Sequence, residues 1–299
     1  MPGLRTSAPS APEGLNSGAI RHTESRTILS KTTGYLAEAG FTHSLTPARN
    51  CTFGCTYCYV PTLRVYGGLK PEDWQRWGQF TTFKSNAPEL ACRESAANQI
   101  VYCSPLVDPY QPAEVSEALM PKLLGALLER PPAVFVIQTR GPLVLRDLPI
   151  LLALSRRTRL RVSFSVTTNR DNIRKLYEPL CAPIAERLDV IRQLRAAGIE
   201  TYATLAPVLP CDPEEFVRLS IEASGQDLIA DPLHIRSVKR SGATTRDAAA
   251  RIAAVQGHEE WFDAGFQQQV IDRMKSEAES LSRQLRVGPA GFGWLARME

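Results

Sequence analysis

The 299-residue sequence predicts an α/β fold, a partial (β/α)6 barrel flanked by a disordered N-terminal tail and a helical C-terminal extension. Three observations predict it. Short β-branched or aromatic runs alternate with helical patterns from about residue 41 to 233. The intervening helices are long enough for right-handed crossovers, which make the sheet parallel. The repeats number about six, too few for a closed eight-unit barrel.

The elements follow in order. Residues 42–45 open the sheet, and 99–102 (QIVY) form the next strand. Residues 112–129 read as one helix, with Val115, Leu119, Leu123 and Leu127 at helical spacing. A strand over 133–138, a helix over 145–154 and a strand over 160–166 come next. An amphipathic helix over 185–197 stops at Gly198, a good C-cap residue. Strand 201–206, helix 213–223 and short strand 227–230 complete the alternation. The expected units are a disordered segment over 1–34, rich in Pro, Ser, Gly and Ala, a barrel over 35–240, and a helical extension over 241–299. Within the extension, residues 246–254 and 258–285 read as helical.

Bulk properties bound the function. The net charge of +4 and 22% charged residues permit nucleic-acid binding without indicating it. Seven cysteines exclude a full disulfide framework. Three of them crowd into eight positions, which points to metal ligation in a reducing compartment. No apolar run is long enough to span a bilayer, and no secretory h-region is seen. A cytoplasmic monomer with no membrane association is expected.

The segment 49–61 reads RNCTFGCTYCYVP, so Cys51, Cys55 and Cys58 form a C-x3-C-x2-C pattern. Three thiolates on one loop can each reach an iron of a [4Fe–4S] cluster, leaving the fourth iron without a protein ligand. Gly54 relieves crowding as the loop wraps. The alternatives are a structural zinc site, which needs four closed ligands, and three cysteines buried by chance. The loop follows a predicted strand, which puts it at the catalytic end of the barrel.

That pattern, with an aromatic before its third cysteine, resembles the signature of radical S-adenosylmethionine (SAM) enzymes. The resemblance implies a radical SAM barrel whose open iron binds SAM. It also implies electron transfer that cleaves SAM to methionine and a 5′-deoxyadenosyl radical, which takes hydrogen from substrate. An external electron donor such as flavodoxin or ferredoxin is then needed.

From residue 57 to 207 the chain looks like the spore photoproduct lyase group, a DNA-repair branch of that superfamily. YCYVPTL flanks Cys58 with Tyr57 and Tyr59, which resemble the tyrosines proposed to relay hydrogen. FSVTT (164–168) looks like the strand whose serine contacts SAM, here Ser165, with Thr167 on the same face. EPLCAPIAERL (178–188) resembles the family's EPG pattern, and Thr139-Arg140 stands where the family has a Thr-Lys that contacts the SAM carboxylate. In IVYCSPLVDPYQP, Cys103 occupies a strand end where the lyase has its hydrogen-donating cysteine, and Ser104 and Asp108 are candidate SAM contacts. The plainer readings are a buried small hydrophobe for Cys103, a turn-starter for Asp108 and packing for the two tyrosines.

Lys84 reads as a solvated lysine or a countercharge to the cluster or the SAM carboxylate. His43, His234 and His258 read as structural, and Cys92, Cys181 and Cys211 carry no assigned role. The resemblance implies a DNA lesion or other nucleic acid as substrate. A peptide, RNA or metabolite substrate remains an alternative, as does a non-enzymatic iron–sulfur or zinc module that binds nucleic acid. No counterpart of the lyase's DNA-inserting C-terminal hairpin is evident after residue 241.

Overall fold

Short runs rich in valine, isoleucine, phenylalanine and tyrosine form the central strands of the larger of two sheets. The computed structural model describes residues 18–63, 76–235 and 245–298. Its strands are β1 (Ala19–Thr23), β2 (Leu29–Lys31), β3 (His43–Leu45), β4 (Ala48–Arg49), β5 (Phe80–Lys84) and β6 (Ile100–Cys103). They continue with β7 (Val134–Thr139), β8 (Arg159–Ser165), β9 (Glu200–Leu205), β10 (Leu228–Ala230) and β11 (Leu285–Val287). The large sheet has eight strands in the order β11-β10-β9-β8-β7-β6-β3-β2. All its neighbours pair parallel except β2, which runs antiparallel to β3. A second sheet, β1-β5-β4, lies beside the loop that follows β4.

The expected α/β partial barrel is present, and the six strands read from the sequence are β3 and β6 to β10. Three departures have physical causes. Residues 18–34 carry β1 and β2 rather than a disordered tail, because β1 finds a ladder on β5, a partner remote in sequence. Residues 1–17 and the expected boundary at 240/241 lie outside the described residues. The C-terminal extension is not wholly helical: its helix ends at Ser280, and β11 adds a parallel strand beside β10. The helix read over 112–129 is broken into Glu114–Glu117 and Leu119–Glu129 by Ala118, which adopts a left-handed φ of 48°. There the Glu114 carboxylate accepts the Met120 N–H at 2.8 Å, a tertiary competitor to the helix ladder.

The sheet's two faces bury different things. Val101, Phe135, Ile137 and Val162 face the helix layer and join the main apolar core with Leu123, Leu127 and Leu151. On the inner face, Tyr102, Val136, Tyr202 and Ile229 pack with Phe41, Phe292 and Leu295. That inner plug comes from the C-terminal segment. Buried Arg161 holds it in place, donating to the carbonyls of Leu295 at 2.8 Å and Arg297 at 2.5 Å. One end of the barrel is thereby filled and the other left open. Among the described residues no helix is long and apolar enough to cross a membrane.

Candidate active site

The cysteine loop runs from β4 to a short 3-10 turn at Val60–Thr62. Its path needs positive φ at Asn50 (64°) and Gly54 (60°). Gly54 also lies against Gly78, where an added Cβ would sit 2.7 Å from the Gly54 Cα, so the loop crosses a neighbouring backbone that only glycine allows. Three tethers fix it. Gln111 Oε1 accepts the Thr52 N–H at 2.8 Å, Gln111 Nε2 donates to Thr81 at 3.1 Å, and the Thr56 N–H donates to the Tyr177 carbonyl at 2.9 Å. Cys51 and Cys55 are buried and Cys58 is half-buried.

All three thiols line one cavity of about 720 Å³ at the C-terminal ends of the strands. That volume suits a cofactor and part of a substrate. Of the residues singled out from the sequence, Tyr57, Tyr59, Ser104, Asp108 and Arg140 share its wall. Cys103, Ser165 and Thr167 do not.

Behind the thiols lies a buried charge network. The Glu178 carboxylate receives the Arg187 guanidinium at 2.5 Å, the Arg140 guanidinium and the Tyr57 hydroxyl. Burial alone would raise the Glu178 pKa, but Arg187 and then Arg140 outweigh it and hold the carboxyl at about 2. Arg140 also donates to Tyr57 and, at 3.5 Å, to the Cys55 thiol. The Nη1 nitrogen of Arg140 is thus committed to protein groups, while the residue itself lines the cavity. Cys181, to which the sequence assigns no role, joins this network. The Cys55 and Cys181 sulfurs and a Glu178 oxygen all lie within 4.8 Å of one another. Hydrogen bonding from Cys181 holds the Cys55 thiol below its ordinary pKa, against burial and with help from Arg140. Burial pushes Cys58 up to about 12.

Asp108 builds the turn that its place in the sequence suggests. Its Oδ1 accepts from Tyr110 N at 2.9 Å and Thr139 Oγ1 at 2.6 Å, and its Oδ2 accepts from Arg140 N at 2.8 Å. Ser104 differs: the residue lines the cavity, and its buried hydroxyl has no hydrogen-bond partner. An orphaned hydroxyl on a wall that also holds three thiols and Asp108 fits a polar ligand bound there. Ser165 sits deeper, its hydroxyl donating to the Ala206 carbonyl at 3.3 Å. Thr167 is fully buried and its hydroxyl is also unpaired.

Cys103 requires a correction. The resemblance gives it the place of a hydrogen donor, which would have to reach the cavity that Tyr57 and Tyr59 line. Its register neighbours are Leu45 and Ile137, both in the apolar core, whereas Tyr102 and Ser104 on either side of it reach the cavity. Strand alternation turns Cys103 to the other face. The two tyrosines also diverge: Tyr57 is locked to Glu178, while Tyr59 is 38% exposed and donates to the Pro105 carbonyl at 3.1 Å.

Among the wall residues, Gln138, Asp231, Lys31 and Arg49 are not singled out by the sequence. Gln138, the last inward residue of β7, accepts from Tyr102 at 2.7 Å and Ser163 at 2.6 Å. Asp231 follows β10 directly and pairs with His234 at 2.6 Å, so His234 belongs to the site rather than to a structural background. Lys31, Arg49 and Lys84 also line the cavity, which contradicts a merely solvated Lys84. A polar residue at the C-terminal end of each barrel strand was the available signal for Gln138 and Asp231.

Comparison with known proteins fits this geometry. Among curated proteins the chain is 28% identical over 160 residues to an uncharacterized protein of Methanocaldococcus jannaschii, covering 54% of this chain and 58% of that one. It is 28% identical over 174 residues to an uncharacterized protein of Mycobacterium tuberculosis, covering 57% of this chain and 50% of that one. The chain thus spans about half the length of the curated relatives it matches. Spore photoproduct lyase complexed with dinucleoside spore photoproduct shares the fold with a TM-score of 0.60 at 13% identity, over 93% of this chain and 85% of that one. A mutant of that lyase with bound AdoMet and dinucleoside spore photoproduct gives 0.61 at 14% identity, over 93% and 85%. At such identities the likeness is one of fold. Residues 45–220 match the family model described as the radical SAM superfamily. That match takes in the cysteine loop and strands β4 to β9, and it covers more than half of the chain, so the protein belongs to the radical SAM superfamily.

Proposed function

We infer that the chain holds a [4Fe–4S] cluster through Cys51, Cys55 and Cys58 and binds SAM beside it, acting on a nucleic-acid substrate in the manner of the lyase group. The observation that carries this reading is the single cavity, which unites three thiols on a clamped loop with an unpaired Ser104 hydroxyl. When bound, such a cluster supplies the electron that splits SAM and so generates a hydrogen-abstracting radical. The protein's own residues do the rest. The Glu178–Arg140–Tyr57 network keeps positive charge beside Cys55, which favours its thiolate. Ser104 offers a hydrogen bond to the cofactor. Gln138 and the Asp231–His234 pair line the remaining wall, where substrate would lie. An electron donor such as a flavodoxin or ferredoxin completes the reaction.

Support for a nucleic-acid substrate comes from the fold shared with a lyase solved on a dinucleoside lesion. The test is anaerobic reconstitution with iron and sulfide, followed by incubation with reductant, SAM and UV-damaged DNA, RNA or peptides. Release of 5′-deoxyadenosine, together with repaired DNA, is the expected result. Stoichiometric zinc with no iron uptake would overturn it.

A further inference from the structure

Three cations stand on the wall of the cavity without an acidic partner. Lys31 ends β2, Arg49 ends β4 and Lys84 ends β5. Among the described residues none of them forms an ion pair, although most arginines in the barrel do. In the β4–β5 ladder Arg49 stands opposite Thr82, so Arg49 and Lys84 lie on one face, two residues apart in register. Such diagonal neighbours are within reach of long side chains. Lys84 is half-buried, and its pKa is pushed down to about 8, first by burial and then by Arg49.

The acid that reaches Lys84 electrostatically is Glu94. Its carboxylate already serves the Ile28 and Leu29 N–H groups, at 2.9 and 3.0 Å, and Arg93. Two like charges held together, one partly desolvated, cost stability unless a ligand repays it. The lining of the same cavity also includes Ser30 and Thr46. Cations beside hydroxyls on one wall are the chemistry that recognises a phosphate. Arg49 also lies two residues before Cys51, so an anion bound here would sit next to the cysteine loop.

We propose that Arg49, Lys84 and Lys31 form a phosphate-binding wall that seats the substrate by a nucleotide phosphate. The proposal rests on reading this cavity as the place where cofactor and substrate meet. It narrows the substrate to one bearing phosphate, whether a phosphodiester within a strand or the phosphate of a free nucleotide.

The test measures binding and needs no turnover. Anaerobically purified protein is titrated with a fluorescent single-stranded oligothymidylate, its neutral methylphosphonate counterpart and thymidine monophosphate. Lys84→Gln is expected to weaken oligothymidylate binding about tenfold, and Lys84→Arg to restore it. The slope of log affinity against log salt should shrink by about 0.7, the amount expected when one phosphate is no longer neutralised. The uncharged methylphosphonate strand should bind the native protein more weakly than the natural strand does, and Lys84→Gln should weaken its binding little further. Competition by thymidine monophosphate at equal affinity assigns the wall to free nucleotides; its failure assigns it to strands. If Lys84→Gln does not fold, Arg49→Gln, at an exposed side chain, carries the same comparison. Unchanged oligothymidylate affinity, or a loss of SAM affinity instead, would overturn the proposal. Binding that survives while no lesion is repaired would count against the enzymatic reading alone.

Discussion

Glu178 and Arg187 meet at 2.5 Å with neither side chain exposed to solvent, directly behind the cysteine loop. Arg187 also donates to the Ser165 carbonyl at 3.0 Å, so the pair ties strand β8 to the segment that carries Cys181. Removing one partner leaves a buried charge only partly compensated by Arg140. Arg187→Leu should therefore cost roughly 3–5 kcal/mol in urea unfolding. A loss below about 1 kcal/mol would contradict the network as described. The pH dependence has a definite sign. The Glu178 pKa is lowered on folding, so its contribution is complete above the unfolded value, roughly 4.3, and drains away as pH falls toward about 2. Glu178→Gln should flatten the acid limb of a stability–pH curve in that window.

Replacing Cys51, Cys55 or Cys58 with alanine should abolish the brown chromophore and the uptake of about four irons per chain. Cys181→Ser should keep both, because the loop's three thiols suffice for a cluster with one open iron. If Cys181→Ser also loses iron, Cys181 is a ligand, and the C-x3-C-x2-C assignment needs revision. Iron and sulfide analysis after anaerobic reconstitution separates the cases.

Ser104→Ala should weaken SAM binding by roughly 1 kcal/mol, about fivefold in Kd, since it deletes an unpaired hydroxyl on the cavity wall. Ser165→Ala should have less effect, because that hydroxyl already donates to Ala206. Calorimetric titration with SAM reads both. Equal losses would bring Ser165 into the cofactor site.

Cys103→Ala should leave product identity unchanged and lower stability by about 1–2 kcal/mol, as expected for a packed thiol. A hydrogen donor would behave otherwise: its loss would divert the substrate radical to side products and consume SAM stoichiometrically. Mass spectrometry of products made in deuterated solvent decides the matter. Transfer of deuterium from the thiol to product would restore Cys103 to the reaction.

The α/β alternation was legible because each strand and helix advertises its own period. Strands β6 to β10 and the helices at Ile184–Ala196 and Pro213–Ser224 appear within a residue or two of where hydrophobic spacing put them. The cysteine loop was legible because its three thiols are local, set on one turn at a spacing that suits a cluster. Strand β1 was not legible. It is largely exposed, and its ladder is made with β5, some sixty positions away. The C-terminal plug was hidden for the same reason, since Arg161 meets the Leu295 carbonyl across 134 positions.

By itself, then, the sequence determined the fold class, the family and the three thiols, all properties of short-range pattern. Only the tertiary structure decided which way Cys103 points, that Cys181 rests against Cys55, and that Arg49 and Lys84 share a face with no ion-paired acid among the described residues. Those facts depend on strand register and on contacts between distant segments. A one-residue change in register turns every side chain of a strand to the opposite face, and no local pattern records which register the packed core selects.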